Sequence, residues 1–529
     1  LDLEAVTRPL QPLRHAAFAV VWTATVVSNI GGWMQTAAAG WLMTTLNADP
    51  RTVALVQVAT ALPMFLLGLP AGALADIIDR RRLLLAMEWI GMLLTAVLAY
   101  LVMRHEVSAF SLVLFTFLMS AASALDAPAW QAIVPRLVGA GDLAPAIALN
   151  SAGINLSRAV GPALAGVVIA RWGIASPFWV NAISSLAVIG ALWWWRPISP
   201  QGTPLPPERF GSAMRVGLRH ARYNPALRAT LMRSVGFFLF AATYWALLPL
   251  VARTQIAGGP GLYGLLLGAI GAGAVAGAFA MPTLKSRVGA DGLVQLGSLG
   301  TAIALFLFGV AHHPTVGFIA SALAGVSWIT VVASLNVSAQ MALPGWVRGR
   351  GLAIYGTVMF GALTLGSLVW GEVAALVGLS ATHYLAAAGC LAVLPLVRRW
   401  KLQTGEVVDL SPSMHWPEPL VLSQVSDERG PVLVTVEYRV ASENTAAFLS
   451  AIHRVAAERR RDGAYRWGIF EDTADAGRWL ETFLVDSWLE HRRQHRRVTN
   501  ADRAAETAAA RFQVSGSPQV KHYVAPAAE

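Results

Sequence analysis

The chain has 529 residues, of which 55% are hydrophobic and only 13% charged. Soluble domains carry about 25% charged residues, so the composition excludes an ordinary soluble enzyme and predicts a membrane protein. The formal net charge of +10 would suggest a nucleic-acid partner in a soluble chain, but basic loops flanking apolar spans account for it here, and no nucleic acid is expected.

Long apolar runs fill residues 16–400, and the part after Lys401 turns rich in Arg, Glu, Asp and His. A helix needs roughly 20 apolar residues to cross the hydrocarbon. That criterion predicts twelve spans, near 17–44, 53–75, 83–103, 108–128, 143–170, 175–195, 230–252, 261–283, 292–311, 315–340, 351–378 and 380–397. The first run continues past Gly31-Gly32 without a short apolar core and an Ala-x-Ala site, so it reads as a retained helix. The single cysteine, Cys390, permits no intrachain disulfide and points to no redox chemistry.

Arg and Lys alternate sharply between the two sides. One set of loops holds Arg80, Arg81, Arg82, Arg136, the arginines of 196–228, Lys285, Arg287, Arg348, Arg350, Arg398, Arg399 and Lys401; the other holds Arg51, Arg104, Arg171 and Arg253. The positive-inside rule then puts both termini in the cytoplasm. The expected organisation is a six-helix bundle at 1–195, a cytoplasmic loop at 196–229 and a second six-helix bundle at 230–400. A linker at 401–430 and a cytoplasmic α+β domain at 431–529 follow. An offset of 209 residues superposes Gln131 on Gln340 and Pro135 on Pro344, as two parallel repeats would.

In the tail the periodicity changes. Val432–Val440, Tyr465–Glu471, Trp479–Val485 and Val520–Val524 read as strands, and Glu443–Arg461, Ser487–His495 and Asn500–Phe512 as helices. The order β-α-β-β-α-β, counting the last two helices together, predicts a ferredoxin-like domain.

Between the second and third spans lies Gly72-Ala-Leu-Ala-Asp76-Ile-Ile-Asp79-Arg80-Arg81-Arg82. Six spans, a long basic loop and six more, with this Gly-x-x-x-Asp and basic cluster, resemble the major facilitator superfamily. Ile77 and Asp79 depart from its pattern, and Lys285-Ser-Arg287 in the second half lacks the Gly-x-x-x-Asp. The resemblance implies a cytoplasmic gate. Gly72 would let the second helix approach a neighbour closely. Asp76 would accept from amides at the start of the eleventh helix, near Gly349-Arg350-Gly351, and Asp79 would neutralise one of the arginines.

In the fifth span, Asn155-Leu-Ser-Arg158-Ala-Val-Gly161-Pro162-Ala-Leu-Ala-Gly166 is similar to the glycine-proline motif of facilitator exporters, with Val167 where a second glycine is usual. Proline kinks a helix and glycine permits close contact. Arg158 costs about 2.5–3.5 kcal/mol on insertion scales, so it is expected to face a polar interior, as a substrate contact or as the counter-ion of an acid. Asp126 and Glu372 are the candidate proton carriers, and Glu88 is a weaker one that can snorkel toward Arg81 or Arg82. Asn29, Gln35, Gln57, Asn150, Asn155, Asn336 and Gln340 are candidate cavity contacts, though most buried amides merely bridge helices. Trp193, Trp194 and Trp195 read as an interfacial belt.

The tail segments Ala464-Tyr-Arg-Trp-Gly-Ile-Phe470 and Trp479–His491 resemble the tail of the transmembrane secretion effector group, which includes enterobactin exporters. That tail is similar to the antibiotic-biosynthesis monooxygenase fold, which commonly dimerises sheet to sheet. A regulatory or dimerising module is favoured over a catalyst. His453, His491 and His495 are not spaced as a metal set, so no metal and no cofactor are expected. With no Walker-type phosphate loop, the reading is a secondary transporter of the bacterial inner membrane. It would export small amphipathic or siderophore-like molecules against protons. A lipid or lysolipid flippase, and an exporter with an oxidising tail, are the alternatives.

Overall fold

The computed structural model describes residues 8–196, 210–402, 409–413, 415–416 and 425–526. It divides into two units, the larger comprising 1–206, 230–337 and 355–402, and the smaller 207–229, 338–354 and 403–529.

The larger unit is helical. Its elements are α1 (Ala16–Leu46), α2 (Pro50–Ile77), α3 (Arg80–Met103), α4 (Ala109–Leu137), α5 (Leu143–Trp172) and α6 (Ser176–Trp194). The short α7 (Phe210–Tyr223) belongs to the smaller unit. Then come α8 (Pro225–Leu250), α9 (Pro260–Gly309), α10 (Pro314–Met341), α11 (Arg348–Val377) and α12 (Leu379–Val397). Among the described residues eleven helices are long and apolar enough to cross a membrane. Large apolar side chains stand exposed along them, such as Phe110, Ile183 and Phe279. Those side chains belong in lipid, and the chain is a multi-pass membrane protein.

The count differs from the expected twelve at one place. The spans expected near 261–283 and 292–311 form the single 50-residue element α9. A straight helix of that length would run about 75 Å, more than twice the roughly 30 Å of hydrocarbon. It is not straight: Gly289 sits at φ 69° and ψ −180°, a left-handed turn that glycine adopts without a Cβ clash. The two helical pieces meet at this kink, which Lys285, Arg287 and Asp291 flank.

Small residues set the helix contacts, since lipid supplies no hydrophobic drive between helices. A Cβ on Gly161 would lie 2.6 Å from Cβ of Trp33 on α1, and one on Gly166 3.0 Å from Cα of Gly261 on α9. From the other side, one on Gly264 would lie 2.5 Å from the Pro162 carbonyl oxygen, and Gly271 meets Ala159. The glycine-proline segment thus wedges α5 between α1 and α9. Gly72 behaves otherwise. A Cβ there would meet nothing within 4 Å among the described residues. Elsewhere along α2 and α11, a Cβ on Gly361 would lie 2.8 Å from the Phe65 ring and one on Gly371 2.6 Å from Cβ of Ala54.

In the smaller unit, β1 (Val432–Arg439), β2 (Tyr465–Glu471), β3 (Arg478–Val485) and β4 (Gln519–Val524) form one antiparallel sheet in the order β2-β3-β1-β4. The helices α13 (Thr445–Arg461), α14 (Trp488–Arg497) and α15 (Asn500–Ala510) accompany it. Val432, Val434, Val436 and Tyr438 alternate onto one face and are buried with Phe448, Ile452 and Trp488. Arg459 is buried between carboxylates, 2.5 Å from Glu506 and 3.5 Å from Glu481. Burial alone would raise the Glu506 carboxyl. Arg459 and hydrogen bonds from His415 and Trp416 outweigh it and bring that group down to about 2.

Overpacking a tight contact costs about 1–3 kcal/mol. Gly264→Val is therefore expected to lower the melting temperature of the purified protein and broaden its size-exclusion peak, while Gly72→Ala leaves both unchanged. Equal melting of the two variants would refute the close contact between α5 and α9.

Candidate functional site: a central cavity

Within the larger unit a cavity of about 420 Å³ is lined by α1, α2, α3, α4 and α6, with Phe360 reaching in from α11. Its wall carries Asn29, Gln35 and Asn181 together with Trp33, Trp130 and four methionines, Met64, Met87, Met92 and Met119. Asn181 donates to the Gln35 side-chain oxygen at 2.6 Å, and Gln35 donates to the Met119 sulfur at 3.0 Å. Thr95 donates to the same sulfur at 3.2 Å. Two acids enter the wall from adjacent helices, Glu88 on α3 and Asp126 on α4. Glu88 accepts a hydrogen bond from Trp130, and the two carboxyls are near enough to repel each other when ionised. Such a wall suits a flexible, amphipathic guest. Methionine adapts its shape, the indoles offer π faces, and a carboxyl pair in low dielectric exchanges protons rather than holding two charges.

At the end of the bundle that bears Arg51 and Arg253, the first six helices meet the later ones through polar contacts. Arg51 on α2 makes a bidentate pair with Glu372 on α11, at 2.7 and 2.9 Å. Arg253 donates to the Thr44 hydroxyl at 3.1 Å and stacks over the Trp41 ring at 5.7 Å. Trp41 in turn stacks on Tyr263 with ring centroids 6.0 Å apart. These contacts join the two groups of helices at that end. At the other end Arg81 donates to the carbonyls of Leu192 and Trp193, at 2.7 and 2.8 Å, and so ties α3 to the last turn of α6.

The model of the transmembrane secretion effector family matches residues 7–529. The chain belongs to that family. Its relatives include the staphyloferrin A transporter of Staphylococcus aureus, 26% identical over 64% of this chain and 85% of the relative. The multidrug efflux pump Tap of Mycolicibacterium fortuitum is 25% identical over 68% of this chain and 89% of its own. The enterobactin exporter EntS of Escherichia coli is 25% identical over 61% and 76%. Two solved structures share the fold. A POT family peptide transporter superposes with a TM-score of 0.58 at 14% identity, covering 74% of this chain and 98% of that one. A bacterial homologue of the lysosomal transporter Spinster gives 0.57 at 13%, over 74% and 98%. This secretion effector is a membrane transporter and not an enzyme.

Of the residues expected from the secretion effector's sequence, Asn29 and Asp126 line the cavity, and Glu88, ranked lower, lines it beside Asp126. Arg158 stacks on Trp33 at 5.2 Å with its Nε buried and unbonded, so it adjoins the wall through that indole. Glu372 does not line the cavity; its carboxylate is taken up by Arg51. Asn155 donates to the Ser151 carbonyl within its own helix, and Asn336 is exposed on α10. The Asp76 side chain lies outside the described residues. Asp79, expected to neutralise an arginine, caps α3 by accepting from the Arg82 amide at 2.9 Å. Sequence reading missed Trp41, Tyr263 and Arg253 as parts of a closure. The available signal was that Arg51 and Arg253 are two of only four basic residues on the sparse side, where each needs a reason to be.

A half-exposed ion pair contributes about 1 kcal/mol or less, so losing it shifts a two-state population by up to about fivefold. With Cys390→Ala as background and Ala39→Cys as reporter, Arg51→Glu is expected to raise labelling of intact cells by an impermeant maleimide by up to about that factor. Arg51→Glu with Glu372→Arg is expected to return it to the starting value. Equal labelling in all three would show that the pair holds nothing closed.

Proposed function

We propose that the protein exports small amphipathic molecules of the siderophore or drug type in exchange for protons. The observation that carries this reading is the cavity, whose methionine and indole wall holds the Glu88–Asp126 pair. The export direction and substrate class are supported by relatives that include a staphyloferrin A transporter, an enterobactin exporter and a multidrug pump. In this reading α9 crosses twice, turning at Gly289, which makes twelve crossings in two groups of six. Both termini are cytoplasmic in the inner membrane, with Arg80–Arg82 inside and the Arg51–Glu372 pair outside. In this reading the contacts around Arg51–Glu372 hold the outward side closed. A proton entering from outside neutralises the acid pair, and its release inside accompanies the opposite movement of substrate. Asp76 holds the cytoplasmic end when that end closes.

For the tail, the sheet order and directions support a ferredoxin-like domain of the monooxygenase-like type acting as a dimerising module. The face opposite the buried valines carries Phe470, Leu480 and Tyr523, each more than a third exposed. Apolar surface of that kind marks an interaction site.

The transport test uses proteoliposomes with an inward-directed proton gradient and siderophore, dye and lipid candidates. Gradient-driven movement is expected for the wild type and is expected to be lost in Asp126→Asn, with a further loss on adding Glu88→Gln. Asp76→Asn is expected to slow transport while leaving membrane insertion unchanged. Transport indifferent to collapse of the gradient would end the coupling claim, and movement of lysolipids alone would favour a flippase. For the tail, Phe470→Asp is expected to convert a dimer into a monomer in light scattering; a wild-type monomer at micromolar concentration refutes the dimer.

A further inference from the structure

The seven-residue run His491-Arg-Arg-Gln-His495-Arg-Arg497 looks hostile to a cation when read along the chain. Folded, its two histidines stand on one face of α14, as i and i+4 residues do, with their Nε2 atoms 3.2 Å apart. A third imidazole arrives from 27 residues downstream. His522 on β4 pairs in register with Val434 of β1, which is buried against Trp488. Cross-strand partners share a face, so His522 stands on the helix-covered side of the sheet. Its ring centroid is 4.7 Å from that of His491 and 6.3 Å from that of His495. One nitrogen from each of the three rings lies within 4.8 Å of the others.

We infer that His491, His495 and His522 form a binding site for a divalent transition-metal ion of the zinc class, with a fourth position open to water or a small ligand.

Three neutral imidazoles are the donor set that borderline divalent ions favour. Zn–N bonds of about 2.0–2.1 Å put tetrahedral nitrogens roughly 3.3 Å apart. The His491–His495 pair is already at that spacing, and a side-chain rotation of His522 completes it. The arginines do not forbid the ion. Arg493 and Arg497 are both turned to Glu490, at 2.7 and 3.0 Å. Arg492 pairs with Asp427 at 3.1 Å, and Arg459 is bracketed by Glu481 and Glu506.

The surroundings also supply what ligands need behind them. His491 is 1% exposed, and the fully buried Gln494 stands close enough to interact with its ring, although neither its Nδ1 nor either Gln494 amide atom completes a well-formed hydrogen bond. A small turn of Gln494 lets its oxygen accept from Nδ1–H, which fixes the tautomer that presents Nε2 to an ion. Trp488 packs on His491 at 5.6 Å and Trp416 on His495 at 5.0 Å, walling the cluster from bulk water. Satisfied this way, the ion would tie β4 to α14.

The test uses the tag-free full-length protein in detergent, stripped with chelator and titrated with Zn²⁺ or Co²⁺ alone. Expected are saturable binding of one equivalent, an intense visible Co²⁺ spectrum of the tetrahedral type, and a rise in melting temperature with Zn²⁺, since an ion that binds only the folded state stabilises it. His522→Ala is expected to weaken binding by about 100-fold or more, the upper end of what even outer-shell changes cost. His495→Gln guards against misfolding and is expected to act alike. His312→Ala with His313→Ala leaves binding unchanged. Absence of saturable binding, or equal affinity in His522→Ala and wild type, overturns the site.

Discussion

Between α5 and its neighbours α1 and α9, backbones approach until there is no room for a methyl group. Gly161, Gly166, Gly264 and Gly271 sit at those contacts, and the packing of the first six helices against the later ones depends on them. In lipid, helices gain no hydrophobic energy by associating, so their cohesion comes from dispersion over close surfaces and from hydrogen bonds. Larger residues at these four positions would push α5 outward and separate the first six helices from the later ones. Along this line the first six helices and the later ones are held together, while the cavity itself is walled almost wholly by the first group, with Phe360 added from α11.

Such a frame can accommodate groups that hydrocarbon rejects. An aspartate at the centre of a membrane helix costs about 2.5–3.5 kcal/mol on insertion scales, and here Glu88 joins Asp126 in one wall. Structural need does not explain both, because neither meets an arginine there among the described contacts. The arginine nearest the wall, Arg158, stacks on Trp33 instead. Two acids without a fixed cation are what the proposed proton exchange would require of this wall. The surrounding methionines and indoles add contact area without demanding one substrate shape, in keeping with relatives that carry chemically different molecules.

Much of this was legible along the chain. Spans are read from runs of apolar residues, because each side chain is judged against lipid singly, and the strands of the tail are read from alternation. The basic motif and the glycine-proline segment were visible as local patterns. Harder were the facts that depend on what a side chain meets across the fold. Glu372 looked like a free acid until Arg51, 321 residues away, claimed it. Asp79 looked like a flaw in a motif and is a helix cap. Gly72 looked like a contact, yet a Cβ there meets nothing within 4 Å among the described residues, which the motif alone does not reveal. His491 and His495 looked like a repelled pair because their third partner, His522, and the Asp427 that pairs with Arg492 come from elsewhere in the chain, and because the turn of Arg493 and Arg497 toward the neighbouring Glu490 is not visible in the run itself.

The difference in character between the α5 line and the closed end bears on how the transporter moves. At α5 the contacts are close approaches of backbone to backbone and to the base of Trp33, so separating them exposes surfaces with nothing else to pack against. At the Arg51 end they are an ion pair with both side chains about half exposed, one arginine–hydroxyl bond and a stack of rings. Water can replace those groups' partners at a cost of about 1 kcal/mol for the pair. A rocking motion that keeps the α5 contacts and exchanges the end contacts therefore has the lower barrier. On this argument the pivot lies at Gly161–Gly166 against Gly261–Gly271, and in the proposed proton exchange the opening toward Asp126 would begin with the parting of Arg51 from Glu372.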